Sequence, residues 1–418
     1  MALLQADRLE RAREQTLALV AAVADEDLER VHSTLMSPLV WDLGHIAAFE
    51  DLWLAHRHGG LPLLHPELAD VYDAFETPRA GRGELPYLRR DEAEQYMDQV
   101  RDRVRALELE DDDPLVLLIS RHERQHAETM LQTLALAALP YWSPPHIQHK
   151  RPAETHPEPT GLDLLAIPAE LVPIGTDSRD AYDNERPQHQ LEVEAFRIGR
   201  SPVTNDDWRA FVEAGGYARR ELWSSEGWDW RVQEGVERPL QWRDGDREQR
   251  LDGLHPIDGA APVVHVSFYE AEAFVALHGL RLPSEFEWEL AATWDGERKL
   301  AFPWGEEPPA PRHANLIESA QFAPLPAGSL PDGAAPCGAL AMIGDVWEWT
   351  ASEFRGYDGF VAHPYREYSE VFFGAEHRVL RGGSFAASAE VVTPTFRNWD
   401  YPSRRQIFSG LRVAADAA

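Results

Sequence analysis

Residues 114–140 have the sequence PLVLLISRHERQHAETMLQTLALAALP, and this stretch decides the fold of the first third of the chain. Its apolar residues recur at intervals of three and four, which is typical of an amphipathic α-helix. Asp113 and Pro114 form a start signal, because aspartate caps helix N-termini and proline suits the first helical position. The pattern ends near Pro140. We therefore predict one long helix whose apolar stripe needs packing partners.

Three more helices are predicted before this one. The first lies in residues 1–20, and the third is DEAEQYMDQVRDRVRAL at 91–107. The second contains VWDLGHIAAFEDLWLAHRH; Ser37 would cap it, Pro38 would be its first residue, and Gly59-Gly60 would end it. Four helices with an apolar stripe each predict a four-helix bundle over residues 1–142.

The remaining sequence has a different pattern. Residues 143–161, SPPHIQHKRPAETHPEPTG, are proline-rich and aperiodic, which predicts a linker. From 162 to 418, short β-branched runs alternate with Gly, Pro and Asp turns, which predicts a mixed α and β domain. The predicted strands are LLAIPAELVPIG, QLEVEAFRIGR, PVVHVSF and HRVLRGGSF; the predicted helices are TNDDWRAFVEAGG and FYEAEAFVALHG.

Bulk properties exclude several classes of function. The formal net charge is −31, and such an anion repels phosphate backbones and acidic lipid surfaces, so we expect neither nucleic acid nor membrane as a partner. No apolar run approaches the length of a membrane span, and the N-terminus lacks the features of a signal peptide. The single cysteine, Cys337, excludes a disulfide within the chain. We expect a cytoplasmic protein.

His122 and His126 are four residues apart on the predicted long helix, so their imidazoles share one face. The neighbours on this face are mostly apolar, which predicts that the pair points into the bundle and needs a metal or polar partners. His45 has a comparable place on another helix. Spacing alone leaves rivals for the third ligand position: His32, His56, His58 and His65.

HERQH also fits the H-E-x-x-H pattern of zinc proteases, in which Glu123 would be the general base. The extended form of that pattern fails, because Thr129 and Gln132 stand where glycine and histidine belong. The zinc protease is therefore the weaker alternative.

Two sets of segments resemble known families. MSPLVWDLGHI at 36–46 and SRHERQHAETMLQ at 120–132 resemble the DinB-like helical domain of the ergothioneine-biosynthesis sulfoxide synthases. The second half resembles the formylglycine-generating-enzyme (sulfatase-modifying factor) domain, a C-type-lectin-like fold. Its segments include DNERPQHQLEVEAFRIGRSPVTNDDWRAFV, RLPSEFEWELAA, FPWG, GDVWEWT and GLRVA.

The resemblance implies a reaction and a cofactor. Iron(II), held by His45, His122 and His126, would bring together N-α-trimethylhistidine (hercynine), a thiol and O2. A carbon–sulfur bond would form on the imidazole and the sulfur would become a sulfoxide. Three protein ligands suit this chemistry, because the substrates and the oxidant need the other positions.

The resemblance also implies roles for aromatic and amide side chains. Tyr365, in YREYS at 365–369, matches the catalytic tyrosine that donates a proton or hydrogen, and Tyr368 would line the site. In FRNWDYPSRRQIF, Asn398 and Trp399 would border the trimethylammonium group, which an aromatic face suits. Gln125 would contact the carboxylate of trimethylhistidine.

Four further positions match those that hold γ-glutamylcysteine in the mycobacterial-type enzymes: Arg79, Arg82, Asp400 and Arg404. Guanidinium groups pair well with carboxylates, and Asp400 can accept from an α-ammonium group. γ-Glutamylcysteine is therefore the preferred thiol. Enzymes that use cysteine or a selenium donor share the scaffold and remain alternatives.

One absence limits what the second half can do. Formylglycine-generating enzymes work through a pair of cysteines, and none lies near residues 396–414, so formylglycine formation is excluded. A non-catalytic binding module remains a rival, since lectin-like folds often only bind ligands. A monomer and a homodimer are both open. The acidic turns of the second half also allow a structural Ca2+ site.

Overall fold

The computed structural model describes residues 5–107, 109, 113–148 and 160–417. The chain divides into two units, a helical unit from Met1 to Pro145 and a second unit from His146 to Ala418, apart from the short segment Leu251–Gly253. The segment predicted to be a linker, 143–161, falls mostly on residues 149–159, which lie outside the described residues.

Four long helices pack together in the helical unit, and the predicted bundle is confirmed. The first long helix packs along the last, and the one that contains His45 packs against the two that follow it. A single extra turn, α2, was not predicted. The helices are α1 (Gln5–Val20), α2 (Asp25–Leu28), α3 (Leu39–Glu50), α4 (Arg90–Arg105) and α5 (Pro114–Ala137).

The helix starts agree with the sequence in one case and differ in another. Asp113 caps α5, and its carboxylate accepts a hydrogen bond from the Leu115 N–H at 2.8 Å. The predicted cap of α3 was wrong, because Pro38 is the cap residue and Leu39 the first helical one. The Ser37 hydroxyl instead accepts a hydrogen bond from Arg82 Nη1 at 2.8 Å.

A π-helix, Asp51–His58, continues α3 without a break and ends at Gly59. Such wide turns are rare and no sequence signal predicted this one. Glu50 and Asp51, at the junction, are both fully buried. The Asp51 carboxylate pairs with Arg103 at 2.8 Å and accepts from the Leu64 N–H at 2.8 Å.

An ionic cluster of four buried side chains joins the four long helices: Arg13 of α1, Glu50 of α3, Arg101 of α4 and Glu123 of α5. Arg13 lies 2.8 Å from Glu50 and 2.9 Å from Glu123. Arg101 lies 2.8 Å from Glu50 and 3.5 Å from Glu123. Burial opposes ionisation of Glu50, but Arg101 and Arg13 outweigh it and hold its pKa below the ordinary value. We call this group the four-helix ionic cluster.

The described residues of the second unit form short strands in four sheets. One has four strands in the order β10-β9-β8-β11, two have three strands in the orders β1-β4-β12 and β5-β6-β7, and β2 pairs with β3. The strands are β1 (Leu164–Ile167), β2 (Glu170–Ile174), β3 (His189–Val193), β4 (Phe196–Gly199), β5 (Trp242–Arg243), β6 (Arg247–Arg250), β7 (Gly253–Pro256), β8 (Trp347–Phe354), β9 (Gly374–Arg381), β10 (Asn398–Asp400), β11 (Ser409–Leu411) and β12 (Ala414–Asp416).

Four helices lie between these strands: α6 (Asn205–Glu213), α7 (Ser225–Glu234), α8 (Phe268–Leu277) and α9 (Glu285–Thr293). The sequence predicted α6 and α8 and missed α7 and α9. Capping boxes fix the starts of α6, α8 and α9, each with a hydroxyl cap residue and an acidic residue three positions on.

The predicted strand PVVHVSF was wrong. Within residues 262–268 only Pro262 forms a bridge, to Thr204, and Phe268 begins α8. The Val263 N–H donates to Val203 O and the Val266 N–H donates to Ser409 O, so the run contacts two different segments. β-Branched residues are buried here in a loop, which shows that their enrichment reports burial as much as pairing.

Candidate functional site

Three histidines of the helical unit converge. Their candidate ligand atoms all lie within 4.8 Å of one another, one from α3 and two from α5. The ring centroids of His45 and His122 are 5.0 Å apart, those of His45 and His126 4.5 Å, and those of His122 and His126 4.6 Å. The structure thus brings His45 to the pair. The other candidates for the third position have partners elsewhere: His32 with Asp27, His56 with Leu61, His58 with Asp113 and His65 with Glu67.

His45 is held by a carbonyl and by an indole. Its Nδ1–H donates to Tyr72 O at 2.7 Å, which leaves Nε2, 3.1 Å from His122 Nε2, as the candidate ligand atom. The imidazole stacks on Trp41, with 4.9 Å between centroids and 10° between planes. Burial lowers the pKa of His45 well below its ordinary value, and the neighbouring His126 lowers it further, against the opposing effect of the Tyr72 hydrogen bond.

His126 is held by a carboxylate. Its Nδ1 lies 3.1 Å from Asp42 Oδ1, and Asp42 is fully buried on α3. The second oxygen, Oδ2, has no hydrogen-bond partner among the described residues. A carboxylate behind a histidine fixes its tautomer and strengthens its opposite nitrogen as a metal ligand. Asp42 was not predicted as a site residue, although it lies three residues before His45 on the same helix.

His122 is held by an aromatic ring. Its imidazole stacks on Phe49, with 3.8 Å between centroids and 13° between planes. Burial lowers the pKa of His122 well below the ordinary value, and the neighbouring His126 and His45 add to the effect. An imidazole must be neutral to bind a metal, so these environments keep His45 and His122 in the form that a metal needs. The donor set fits a transition metal.

The histidine pair of α5 faces His45 of α3, but its face of the helix is only partly buried. His122 and His126 lie on a half-buried face of α5, and the His126 side chain is 17% exposed. The fully buried face carries Glu123, Ala127 and Met130. Because the Glu123 carboxylate is engaged by Arg13 and Arg101 in the four-helix ionic cluster, it is not free to be the base that a zinc protease requires.

The two candidate arginines of the helical unit lie on the 3₁₀-helix Arg79–Glu84, and one of them contacts Trp41. Arg82 is buried, and its Nε, Nη1 and Nη2 donate to Thr77 O, Ser37 Oγ and Ala74 O at 2.8 to 3.0 Å. Its guanidinium lies 3.8 Å from the centroid of Trp41, so Arg82, Trp41 and His45 form one stack. Burial lowers the pKa of Arg82 to about 10, which leaves it charged at neutral pH.

Arg79 and Gln125 are half-buried. Arg79 opens the 3₁₀-helix Arg79–Glu84, and its Nη1 lies 3.4 Å from Leu35 O. Gln125 lies on α5 between the two histidines, one position before His126. Gln125 thus adjoins His126 in sequence, and Arg82 joins His45 through the Trp41 stack, whereas Arg79 lies three residues before Arg82.

In the second unit, predicted site residues meet in an aromatic cluster. The rings of Tyr365 and Tyr368 are 6.2 Å apart and perpendicular, and those of Tyr368 and Trp399 are 6.4 Å apart. Tyr182 stacks on Tyr368 at 4.9 Å, and Phe354 stacks on Trp399 at 4.2 Å. Sequence reasoning missed Tyr182 and Phe354, because single aromatics in strands and turns carry no local signal.

Strand β10 and the residues just after it supply the other predicted residues. Asn398 pairs in register with Leu380 of β9, and its Oδ1 accepts from the Trp399 N–H at 2.9 Å. Asp400 and Arg404 form an ion pair with 3.6 Å between Oδ1 and Nε. The structure thus places Asn398, Trp399, Asp400 and Arg404 within one short segment, with both charged groups half-buried.

Two further observations bear on cofactors and membranes. In the part of the chain that the structure describes, the three histidines are the one group of at least three His, Cys, Asp or Glu side chains close enough to share an ion. No such group in the described second unit supports the calcium expectation. No described helix is long and apolar enough to cross a bilayer.

Comparison with known proteins finds a matching family for each half of the chain. The family model of the DinB superfamily matches residues 8–130, and that of the sulfatase-modifying factor enzyme 1-like domain matches residues 153–417. The hercynine oxygenase of Mycobacterium tuberculosis is 45% identical, over 98% of this chain and 97% of that protein.

The chain belongs to the hercynine oxygenase family. The hercynine oxygenase of Mycolicibacterium thermoresistibile is 44% identical, over 97% of this chain and 93% of that protein. An inactive Cα-formylglycine-generating enzyme 2 from Bos taurus is 30% identical over 55% of this chain and 78% of that protein. These matches confirm the predicted family. They also confirm the DinB-like and formylglycine-generating-enzyme-like folds of this hercynine oxygenase homologue.

Proposed function

We propose that this chain is an iron(II)- and O2-dependent sulfoxide synthase. It joins the imidazole carbon between the two ring nitrogens of N-α-trimethylhistidine to the sulfur of γ-glutamylcysteine. The observation that carries the proposal is the convergence of three imidazoles in a chain that is 45% identical, over nearly its full length, to a hercynine oxygenase.

The donor set supports iron in this role. His45, His122 and His126 offer nitrogen ligands from one side, and each ring is oriented by a different neighbour: Tyr72 O, Phe49 or Asp42. Three ligands leave positions for two substrates and O2, whereas a structural zinc site would be closed by a fourth protein ligand. Bound iron(II) would supply the redox chemistry that activates O2.

The reaction balances without another reductant. The C–H of the imidazole and the S–H of the thiol are lost, and a C–S bond forms. One oxygen atom of O2 ends on the sulfur and the other leaves as water. The substrates supply all the electrons, so the protein needs to orient two substrates and to handle protons.

We assign the proton-handling role to the Tyr365 hydroxyl, with Tyr368 packed against it. Asn398 and Trp399 would border the trimethylammonium group, because a cation without N–H donors is best held by an aromatic face and an amide dipole. Gln125 would contact the carboxylate of the same substrate. The aromatic cluster of Tyr365, Tyr368 and Trp399 supports these assignments.

We assign the thiol substrate to Arg79, Arg82, Asp400 and Arg404. Arg82 has five N–H groups and uses three nitrogens on protein acceptors, so its main contribution would be to hold the segment that carries Arg79. Asp400 and Arg404 form an ion pair that can accept an ammonium group and a carboxylate. Cysteine or a selenium donor on the same scaffold remains the alternative.

Oxygen consumption tests the proposal. The purified chain is loaded with iron(II) without oxygen, mixed with trimethylhistidine and one thiol, and exposed to O2, and the products are identified by mass spectrometry. We expect uptake and a sulfoxide only with both substrates present, fastest with γ-glutamylcysteine. Zinc-loaded protein is the matched control and should consume no O2. Absence of thiol-dependent uptake by the iron form would refute the proposal.

A further inference from the structure

Residues 363–369, which we call the tyrosine loop, carry Tyr365 and Tyr368. Most of the loop is at the surface: Arg366 and Glu367 are exposed, and both tyrosines are half-buried. Ser369 is the exception, since it is completely buried. The Tyr365 ring packs on Tyr368, which packs on Tyr182 and Trp399, and the polar contacts at the ends of the loop also help to determine where Tyr365 lies.

One carboxylate binds the tyrosine loop at both ends. Ser369 Oγ donates to Asp183 Oδ1 at 2.5 Å, and the His363 N–H donates to Asp183 Oδ2 at 3.2 Å. Asn184 Nδ2 donates to the same Ser369 hydroxyl at 3.0 Å. Asp183 is 1% exposed. Both of its oxygens are thus used on the two ends of one loop.

The environment of Asp183 indicates that burying its carboxylate costs free energy. Burial raises its pKa above the ordinary value, although hydrogen bonds from Ser369 and His363 oppose the rise. No salt bridge to Asp183 is present among the described residues, so neutral donors do most to stabilise its charge, and the charge of Arg186 adds a smaller favourable effect. A buried carboxylate that serves only packing would be replaced at little cost by a neutral group.

The same turn is tied to the segment that bears Asn398 and Trp399. Arg397 Nη1 donates to Asn184 O at 2.7 Å, and Arg397 immediately precedes β10. Glu185 accepts hydrogen bonds from the Tyr182 N–H at 2.9 Å and from the Thr395 hydroxyl at 2.5 Å. Tyr182 in turn stacks on Tyr368. The turn 182–185 therefore holds the tyrosine loop on one side and the start of β10 on the other.

We propose that Asp183 is a positioning residue that sets the place of Tyr365 relative to Asn398 and Trp399. It acts through the ends of the tyrosine loop and does not touch a substrate. This inference rests on the proposed function, in which Tyr365 handles the proton. It assigns a task to the DNERP segment, which the reaction itself does not use.

Asp183→Asn tests the inference, because it keeps the size of the side chain and turns one acceptor into a donor facing Ser369 or His363. We expect the ratio of sulfoxide to other thiol-oxidation products to fall about 10- to 100-fold, the range that small misplacements of reacting groups cause. The change should appear in kcat, while the KM for trimethylhistidine and the iron content stay unchanged. Glu367→Gln, on an exposed position of the same loop, is the matched control and should behave as wild type.

Ser369→Ala and a double variant make the test decisive. Ser369→Ala removes the hydroxyl between Asp183 and Asn184 and should shift the products in the same direction, even if Asp183→Asn does not fold. In a Tyr365→Phe background, Asp183→Asn should change the product ratio no further, because both act through one hydroxyl.

The outcomes separate the two claims. If Tyr365→Phe leaves the products unchanged, the assigned role of Tyr365 in the proposed function fails. If Tyr365→Phe redirects the products but Ser369→Ala and a folded Asp183→Asn do not, the positioning role of Asp183 is overturned. Additive effects in the double variant would overturn it as well.

Discussion

The Asp42 carboxylate on α3 lies 3.1 Å from Nδ1 of His126 on α5, so a buried negative charge stands directly behind one of the three imidazoles. The hydrogen bond orients His126 and lets the centre carry less net positive charge once a divalent ion is bound. Asp42 thus belongs to the proposed metal centre although it is not one of its ligands.

We expect Asp42→Asn to weaken iron(II) binding about 10- to 100-fold, the usual cost of losing such a carboxylate. Anaerobic calorimetric titration with iron(II) measures this directly. Asp102→Asn, on α4 with 74% of its side chain exposed, is the control and should bind iron as wild type does. Equal affinity in both variants would exclude the role of Asp42.

His122→Ala should remove iron binding and turnover, because two imidazoles and no replacement ligand hold a divalent ion weakly. Metal analysis after anaerobic loading and gel filtration measures the bound iron. His56→Ala is the matched control, since His56 is exposed and its Nδ1 bonds to Leu61 O. Stoichiometric iron in His122→Ala would contradict the assignment of the ligands.

Tyr365→Phe should keep iron but lose or redirect sulfoxide formation, because the ring remains and only the hydroxyl proton is lost. The measurement is the product distribution at equal O2 consumption. Tyr141→Phe, which removes a hydroxyl bonded to Asp27, serves as control. An unchanged distribution in Tyr365→Phe would argue against this hydroxyl as the proton donor.

Arg79→Ala should raise the KM for γ-glutamylcysteine about 10- to 100-fold, the value of a lost charged hydrogen bond, with little effect on the KM for trimethylhistidine. Steady-state kinetics with each substrate varied in turn provide the test. Arg105→Ala, with 53% of its side chain exposed, is the control. Equal effects on both KM values would remove Arg79 from the thiol site.

Glu123→Ala should destabilise the protein by about 3–5 kcal/mol, because it leaves Arg13 and Arg101 buried without one of their partners. Urea unfolding followed by circular dichroism measures the loss. Glu94→Ala breaks a partly exposed i, i+4 pair with Arg90, which keeps its other acceptors Asp25, Val20 and Val23, and should cost less than about 1 kcal/mol. A fully stable Glu123→Ala variant that lost activity would instead revive Glu123 as a general base.

The four long helices of the helical unit were predictable because their signals are local. The cap at Asp113 and the apolar period of α5 lie within the segment that folds. The π-helix at 51–58 and the loop at 262–268 were not predictable, because distant partners decide them: Arg103 and Leu64 for Asp51, Val203 and Ser409 for the loop. Local propensity carries no information about such partners.

The residues of the candidate site also divide into those that local sequence signals predict and those that only packing reveals. The spacing of His122 and His126 was informative by itself, whereas the choice of His45 over His56 or His65 depends on how α3 meets α5 and came from the family resemblance. Asp42 was missed because a charged residue on a helix is usually solvated, and Glu123 was considered only as the general base of the weaker zinc-protease alternative. Only packing shows that Asp42 supports a ligand and that Glu123 joins four helices.

His122 and Glu123 are consecutive residues of α5 but lie on different faces of the helix. His122 and His126 face His45, whereas Glu123 faces Arg13 and Arg101. A one-residue insertion or deletion ahead of His122 would rotate both faces by about 100° at once. Such a change would remove the metal ligands and the buried pairing together. Insertions and deletions among descendants of this sequence should therefore be tolerated in loops and selected against within α5. A graft of the metal site onto another helical bundle would need Arg13, Glu50 and Arg101 as well.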